Sequence, residues 1–443
     1  MMKYFAVFAC IALSFFLFGC ISEGSNLESN EKAGLDCTDF LEECKEFNSA
    51  DFNGTTLISD ESNFIDKPFT KEEFSVEKMN FVLEQPWELE FLPDDSMLIS
   101  QRIPPKIILI KNNTPVIIYE PNAPPELFPG FLGITSDPEF SNNNYIYVYS
   151  YILDDNPAFS EKKIREKIVI GKVSRFTLKN NSLSNEVILI ENIPGSIQHT
   201  GGRIKFGPDG MLYVTTGDAD SGSIAQDIGS LGGKILRINK DGSIPLDNPF
   251  VNSPVYSFGH RNPQGLAWDD TGRLFESEHG PNRFDEINFI ESGKNYGWPI
   301  YHCDEKQSSG NEILFEKPVV CRKTWTMAPS GMVFVNDPES IWYGSLFVGA
   351  LRGKHLARFN FEGNRNTLDE VFFADKEKIV INENFHKQFR EFVIQGKKGE
   401  VMALIDIGIQ TGIGRRIRTV TYHKGVLYLL GDFYGLLKIT PKD

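Results

Sequence analysis

Four stretches of the chain carry residue types at spacings that suit chemistry. In Gln198-His199-Thr200-Gly201-Gly202-Arg203 an imidazole sits in a glycine-rich loop, just before an expected strand at Ile204. Imidazole exchanges protons near neutral pH and so suits general-base work, and glycines let a flat ligand approach the backbone. The second stretch is denser and runs through Gly259-His260-Arg261-Asn262-Pro263-Gln264-Gly265, Glu276-Ser277-Glu278-His279-Gly280-Pro281, Asp285-Glu286-Ile287-Asn288 and Asn295-Tyr296-Gly297-Trp298-Pro299. Arg261 offers planar, two-pronged contacts to carboxylates, and Asn262 and Gln264 add amides; this equips a site for an anionic, oxygen-rich ligand. The acidic side chains and loop carbonyls that follow suit calcium, which takes roughly six to eight oxygen ligands.

The other two stretches are Gly349-Ala350-Leu351-Arg352-Gly353-Lys354 and Arg415-Arg416-Ile417-Arg418. On a strand, alternation puts Arg416 and Arg418 on one face, so two cations project into one place. Each stretch also has a plainer reading: a surface histidine, polar residues that stitch loops together, a solvated arginine face. With Arg261 and Arg352, the paired arginines make a cage for a multiply negative ligand the sharper expectation in a chain that is acidic overall.

Residues so far apart can meet only if the fold gathers loops. From Pro86 onward an aromatic with an Asp or Gly turn recurs before alternating strands. The returns are Phe91-Leu92-Pro93-Asp94, Asp137-Pro138-Glu139-Phe140, Phe206-Gly207-Pro208-Asp209-Gly210, Trp268-Asp269-Asp270-Thr271-Gly272, Phe334-Val335-Asn336-Asp337 and Tyr422-His423-Lys424-Gly425. Runs such as Met211-Leu212-Tyr213-Val214-Thr215 and Val426-Leu427-Tyr428-Leu429-Leu430 follow with period two, and helical periodicity is scarce. Six returns predict an all-β, six-bladed β-propeller; an open array of β-sandwiches has no need of one turn six times. Loops at one end of a propeller channel converge, which is where the four stretches would assemble.

The chain has 443 residues, 41% hydrophobic and 24% charged, with 45 Lys and Arg against 60 Asp and Glu for a net charge of −15. That field repels phosphate backbones and anionic lipid headgroups, so nucleic acid is not expected as a partner. Residues 1–20 read as a lipoprotein signal peptide: Lys3, an apolar run from Tyr4 to Phe18, and Leu17-Phe18-Gly19-Cys20 in the form of a lipobox. The run is short for a transmembrane anchor, the alternative reading. Residues 21–75 are then a polar tether and N-terminal extension, and residues 76–443 the propeller. This places the domain outside the cytosol, held to a membrane by a lipid anchor alone. Of the cysteines beyond Cys10 and Cys20, Cys37 with Cys44 and Cys303 with Cys321 are the natural disulfide pairs in an oxidising compartment, each close in sequence, and no zinc spacing is present.

These motifs resemble those of the soluble quinoprotein glucose dehydrogenase and aldose sugar dehydrogenase family. The matching phrases are Gln85-Pro86-Trp87 with Phe91-Leu92-Pro93-Asp94, His199 to Arg203 with Phe206 to Gly210, Gly259 to Gly265, Glu278 to Pro281 with Asp285 to Asn288, and Asn295 to Pro299. The resemblance runs from about Pro86 to the C-terminus. It implies a six-bladed propeller that binds pyrroloquinoline quinone (PQQ) with calcium, oxidises the C1 hydroxyl of aldoses to lactones and hands electrons to an external acceptor. By motif, His199 would be the base, Arg261 and Asn262 would contact the cofactor, and Arg352, Arg416 and Arg418 would bind its carboxylates and quinone oxygens. The carbonyls of Gly280 and Pro281 would hold the cofactor's calcium, and Glu286 with the Tyr296 carbonyl a second, structural calcium. Two positions depart from the family: Phe128 stands where a glutamine is usual, and Arg352 where a lysine is. Trp325 keeps the family's tryptophan.

Two other functions compete. A propeller binding module could keep the blades after losing its cofactor, and Phe128 is its best argument. A calcium-dependent lactonase of the same architecture would need a carboxylate cluster at the channel centre, where this sequence puts arginines.

Overall fold

The computed structural model describes residues 74–122, 130–153, 169–196, 198–303, 305–307, 313–322, 326–352, 356–360, 378–380, 393–395, 401–405, 416–432 and 435–442. Phe128, Trp325, Cys10, Cys20, Cys37 and Cys44 lie outside the described residues, as does the whole of the expected signal and tether up to residue 73.

Six antiparallel sheets of four or more strands follow one another along the described residues, and a two-stranded pairing of Tyr301–His302 with Glu305–Lys306 lies outside them. Their first strands are Pro86–Phe91, Gly130–Ser136, Gly201–Phe206, Pro263–Trp268, Pro329–Phe334 and Ile417–His423, which open blades 1 to 6. Each of these strands touches the next, and the sixth touches the first, so they form a closed ring. The fold is the expected six-bladed propeller. Each predicted aromatic turn sits where a first strand ends and the chain reverses into the second strand of its blade.

Blade 6 is completed by both ends of the domain. Phe74–Met79 pairs antiparallel with Gly435–Pro441, from Phe74 opposite Pro441 to Met79 opposite Leu436. Between consecutive blades the apolar faces close on each other. Leu98, Leu109 and Phe131 with Ile146 fill the gap between blades 1 and 2, Ile204 and Val214 with Tyr147 and Val173 that between blades 2 and 3, and four similar clusters fill the rest. Blades buried on both faces explain why some strands are near-continuous apolar runs, such as the wholly buried Ser345–Ala350.

One irregularity recurs in all six blades. The pairing of first with second strand shifts near the start of the first strand, with one extra residue on the first strand each time: between Pro86 and Glu88, Phe131 and Ile134, Gly201 and Ile204, Pro263 and Gly265, Pro329 and Met332, and Ile417 and Thr419. A bulge bends its strand and re-aims the extra side chain. Here the bulges turn Trp87, Arg203, Gln264, Ser330 and Arg418 toward one another. Arg203 is fully buried, ion-paired with buried Glu88, stacked 4.1 Å over the Trp87 ring, and donates to the carbonyls of Gln264 (2.8 Å) and Arg418 (3.4 Å). Ser330 Oγ reaches Gln264 Oε1 at 3.2 Å. Side chains from blades 1, 3, 4, 5 and 6 thus tie the channel together.

Candidate active site

The site is built at one end of the channel from two kinds of position: residues entering the first strands and residues leaving the second strands. In blade 3 the register puts Gly201 opposite Thr216, so the loop before Gly201 lies beside the segment after Thr216. His199 from that loop places Nδ1 2.9 Å from Asp218 Oδ1 and 3.2 Å from Asp220 Oδ1. Asp218 is buried, and its other oxygen accepts the Trp298 indole N–H at 2.8 Å. The imidazole is therefore held through Nδ1, which leaves Nε2 as the nitrogen that can take a proton. His199 has φ +51°, an uncommon backbone for a residue with a side chain. Gly217 makes room for it: a Cβ there would lie 1.8 Å from the His199 carbonyl oxygen.

Blade 4 supplies the next wall. The Arg261 guanidinium lies 5.1 Å over the Trp298 ring, and its Nη1 donates at 3.0 Å to the carbonyls of both His279 and Gly280. Its Nε is buried with no partner among the described residues, and so is Nε2 of His279. Asn262 is occupied at both ends of its amide, accepting from the Gly201 N–H at 3.0 Å and facing His279 Nδ1 at 3.2 Å. It positions the His199 loop and His279. Burial, and then Arg261 beside it, holds His279 down to about 3, so this imidazole is neutral.

Arg416 and Arg418 converge as expected, for a different reason. Arg418 is the bulge residue, so simple alternation fails there; Asp432, just past the second strand of blade 6, draws both, at 2.9 Å from Arg416 Nε and 3.0 Å from Arg418 Nη2. Two guanidinium groups share one carboxylate, which leaves net positive charge. Arg102, just past the second strand of blade 1, adds to it: burial first and then Arg418 lower its pKa to about 10, and its Nε has no partner among the described residues. Arg418 and His199 both act electrostatically on His279, which joins the arginine group to the blade 3 and blade 4 walls. Arg352 is exposed at the end of the second strand of blade 5, its N–H bonded to the Met327 carbonyl at 3.1 Å.

A profile of the glucose/sorbosone dehydrogenase family matches residues 83–435. The chain belongs to that family. It is 31% identical over 355 residues to quinoprotein glucose dehydrogenase B of Acinetobacter calcoaceticus, covering 70% of this chain and 73% of the relative. It is also 31% identical over 325 residues to the aldose sugar dehydrogenase YliI of Escherichia coli, covering 69% and 85%. Among solved structures, the PQQ-bound aldose sugar dehydrogenase of Streptomyces coelicolor is 28% identical, with a TM-score of 0.61 over 85% of this chain and 100% of that one. By family, the protein is a sugar oxidoreductase.

The metal-binding expectations fall at two places in the dehydrogenase. The carbonyl of Gly280 accepts from Arg261, and that of Pro281 accepts the Arg283 N–H at 2.7 Å, so each keeps one lone pair for a cation. Glu286 is buried, and one of its oxygens accepts the Cys303 N–H at 2.7 Å. The Cys303–Cys321 disulfide closes over it, with Cα atoms 5.9 Å apart. Tyr296 is buried with its ring stacked 4.7 Å from that of His260. Beside them stand Glu276 and Glu278, acidic side chains of the stretch read as suited to calcium, though neither was named as a ligand.

Asp218, Asp432 and Arg102 were missed as well. Each lies one or two residues beyond the end of a second strand. A search of those positions, opposite the motif-bearing starts of first strands, finds all three.

Proposed function

We infer that the protein oxidises the C1 hydroxyl of aldose sugars to lactones, using PQQ with calcium and an external electron acceptor. The observation that carries this reading is the His199–Asp218 pair, set beside arginines that share one carboxylate, Asp432, among the described residues. The residues fit an anionic, planar, oxygen-rich group. Among the described residues, Arg261 Nε, His279 Nε2 and Arg102 Nε are buried without hydrogen-bond partners, and Arg416 and Arg418 have one carboxylate between them. Bound there, PQQ would supply the electron-accepting quinone that receives the C1 hydride.

The protein's own contribution is binding and proton transfer. Arg416, Arg418 and Arg102 hold carboxylates, and Arg261 over Trp298 orients the flat ring system from blade 4. Exposed Arg352 stands at the rim, where the family usually has a lysine. Gly280 and Pro281 offer two carbonyl oxygens to calcium. His199 Nε2 takes the proton from the sugar hydroxyl, while Asp218 keeps the proton of Nδ1 in place and stabilises the imidazolium that forms. Sequence residues 1–20 would direct export and Cys20 carry the lipid, which puts the reaction outside the cytosol.

The test is to add PQQ and calcium to the purified apoprotein and follow dye reduction with a panel of aldoses. Sugar-dependent reduction that needs both additions supports the reading, and none with any aldose refutes it. His199→Gln should lower turnover at least about a hundredfold with PQQ still bound, because base catalysis is typically worth two to four decades.

A further inference from the structure

Behind Arg261, blade 4 buries three carboxylates side by side. Glu276, Glu278 and Glu286 are all buried, Glu276 completely. They lie on the adjacent strands Leu274–Glu278 and Asp285–Ile290, whose register sets Glu276 opposite Asn288 and Glu278 opposite Glu286. One amide nitrogen, Asn288 Nδ2, lies 3.2 Å from Glu276, 3.4 Å from Glu278 and 3.2 Å from Glu286. An amide has two hydrogens and no charge, so it serves two of three carboxylates and neutralises none. The Arg261 side chain is turned to the carbonyls of His279 and Gly280; only its backbone N–H reaches Glu278, at 2.7 Å.

Three acceptor atoms in this pocket have no partner among the described residues: His260 Nδ1, Glu276 Oε1 and Asn288 Oδ1, each on a fully buried residue. His260 is fixed on both sides. Its Nε2 is 2.8 Å from Ser257 Oγ, and its ring stacks on Tyr296. With the ring proton on Nε2, the Nδ1 lone pair looks toward Glu278 Oε1 at 3.8 Å, beyond hydrogen-bond length. A lone pair facing a carboxylate in a dry pocket is repulsive unless something positive lies between them.

We propose that this pocket binds a divalent ion of the manganese, iron or zinc class through His260 Nδ1 and the carboxylates of Glu276 and Glu278. Donor atoms of these residues lie within 4.8 Å of one another. An ion at the centre of such a triangle is about 2.8 Å from each donor, and small side-chain rotations close that to the ~2.1 Å of a nitrogen or carboxylate bond. The imidazole selects the class: neutral nitrogen suits borderline transition ions, whereas calcium takes oxygen almost exclusively. Two positive charges against three carboxylates leave one negative charge, which Arg261 offsets. This donor set is distinct from Glu286 and the Tyr296 carbonyl, where the structural calcium is expected. Glu286 stays beside it, hydrogen-bonded to Cys303 and Asn288. Because His260 precedes Arg261 in the chain and Glu278 accepts the Arg261 backbone N–H, the ion would brace the arginine without touching a substrate. The proposal does not rest on the redox reading, since a chain that bound no PQQ would still hold the ion.

The experiment measures metals in the full chain, purified without added ions, by inductively coupled plasma mass spectrometry. One manganese, iron or zinc per chain is expected. After stripping with EDTA, manganese, iron(II), zinc and calcium are returned singly while thermal unfolding is followed, and cobalt(II) is added to a further sample as an absorbance probe. A rise of several degrees with a transition ion, exceeding that with calcium, and cobalt bands that require His260 support the proposal. Glu276→Gln should cut ion content at least about tenfold while far-UV circular dichroism stays unchanged. A chain that holds no such ion and gains no stability from one, that holds calcium alone, or that keeps its transition ion in Glu276→Gln overturns it. PQQ titration of the same samples separates this outcome from that of the redox reading.

Discussion

Asp218→Asn tests how the proposed base is held. The two oxygens of Asp218 accept from His199 Nδ1 at 2.9 Å and from Trp298 Nε1 at 2.8 Å. An asparagine of the same shape has one acceptor, so its NH2 must face either the indole N–H or the imidazole. The indole cannot give up its hydrogen, so the amide oxygen goes to Trp298 and the NH2 to His199. Nδ1 then becomes the acceptor, the ring proton moves to Nε2, and the atom that should take the sugar proton already carries one. Loss of the charge-assisted bond alone is worth about 1.5–3 kcal/mol, or roughly ten- to a hundredfold in rate. Asp220, 3.2 Å from the same nitrogen but half-exposed, compensates in part, and Asp218→Asn with Asp220→Asn should fall at the upper end. The assay is kcat at saturating PQQ and calcium, with PQQ affinity measured separately by titration. A fall in kcat with PQQ affinity unchanged is expected. Turnover within about threefold of the parent, with the cofactor saturating, refutes the idea that His199 works through Nε2.

Arg416→Ala and Arg418→Ala should each weaken PQQ binding by about one to two decades, the worth of one charge-assisted contact, with the unfolding midpoint little changed for exposed Arg416; unchanged titrations for both would discard the cage. Arg203→Met, which strands the buried Glu88 carboxylate, should cost about 3–5 kcal/mol in urea unfolding, and Arg203→Met with Glu88→Gln should recover part of it. A loss below about 1 kcal/mol would show that the bulge contacts are dispensable. His302, stacked 4.9 Å from Trp298, is held to about 4, by burial first and then by Arg261. The fold favours its neutral form while the unfolded chain protonates near 6.5, so its contribution is present above pH 6.5 and lost as pH falls toward 4. Thermal melts of His302→Phe should therefore decline less steeply than the parent over that window, and equal slopes would count against it.

The fold was legible because its signal repeats. Six copies of one aromatic turn mark six hairpins, and any one of them alone would have meant little. The site was legible only where the sequence concentrates unusual residues, at His199, Arg261 and the Arg416–Arg418 pair. Asp218 and Asp432 are invisible in that way. Each is an ordinary acid in a turn, and what makes it special is an antiparallel register that sets it against a cation or imidazole on the neighbouring strand. Asn262 shows a second gap: its type suggests a ligand contact, but nothing in its type announces that its amide also accepts from the Gly201 N–H and faces His279 Nδ1. The bulges escape a period-two reading altogether, since one extra residue reverses the face of all that precede it. That is why the convergence of Arg416 and Arg418 was foreseen for the wrong reason.

The pairing of Phe74–Met79 with Gly435–Pro441 has a consequence for how the molecule is made. Ser75 finds its partner in Thr440, so the opening strand of the domain waits through nearly the whole of synthesis for the residues that fix it. Earlier blades can stack as they emerge, but the ring cannot shut until the final strand is released, and an unshut ring offers two unpaired edges to any neighbour. Loss of only a few residues from the C-terminus would do more than shorten a strand. It would leave the first strand without a sheet and the last blade open, and such a product should be cleared or aggregate while blades 1 to 5 are intact in sequence.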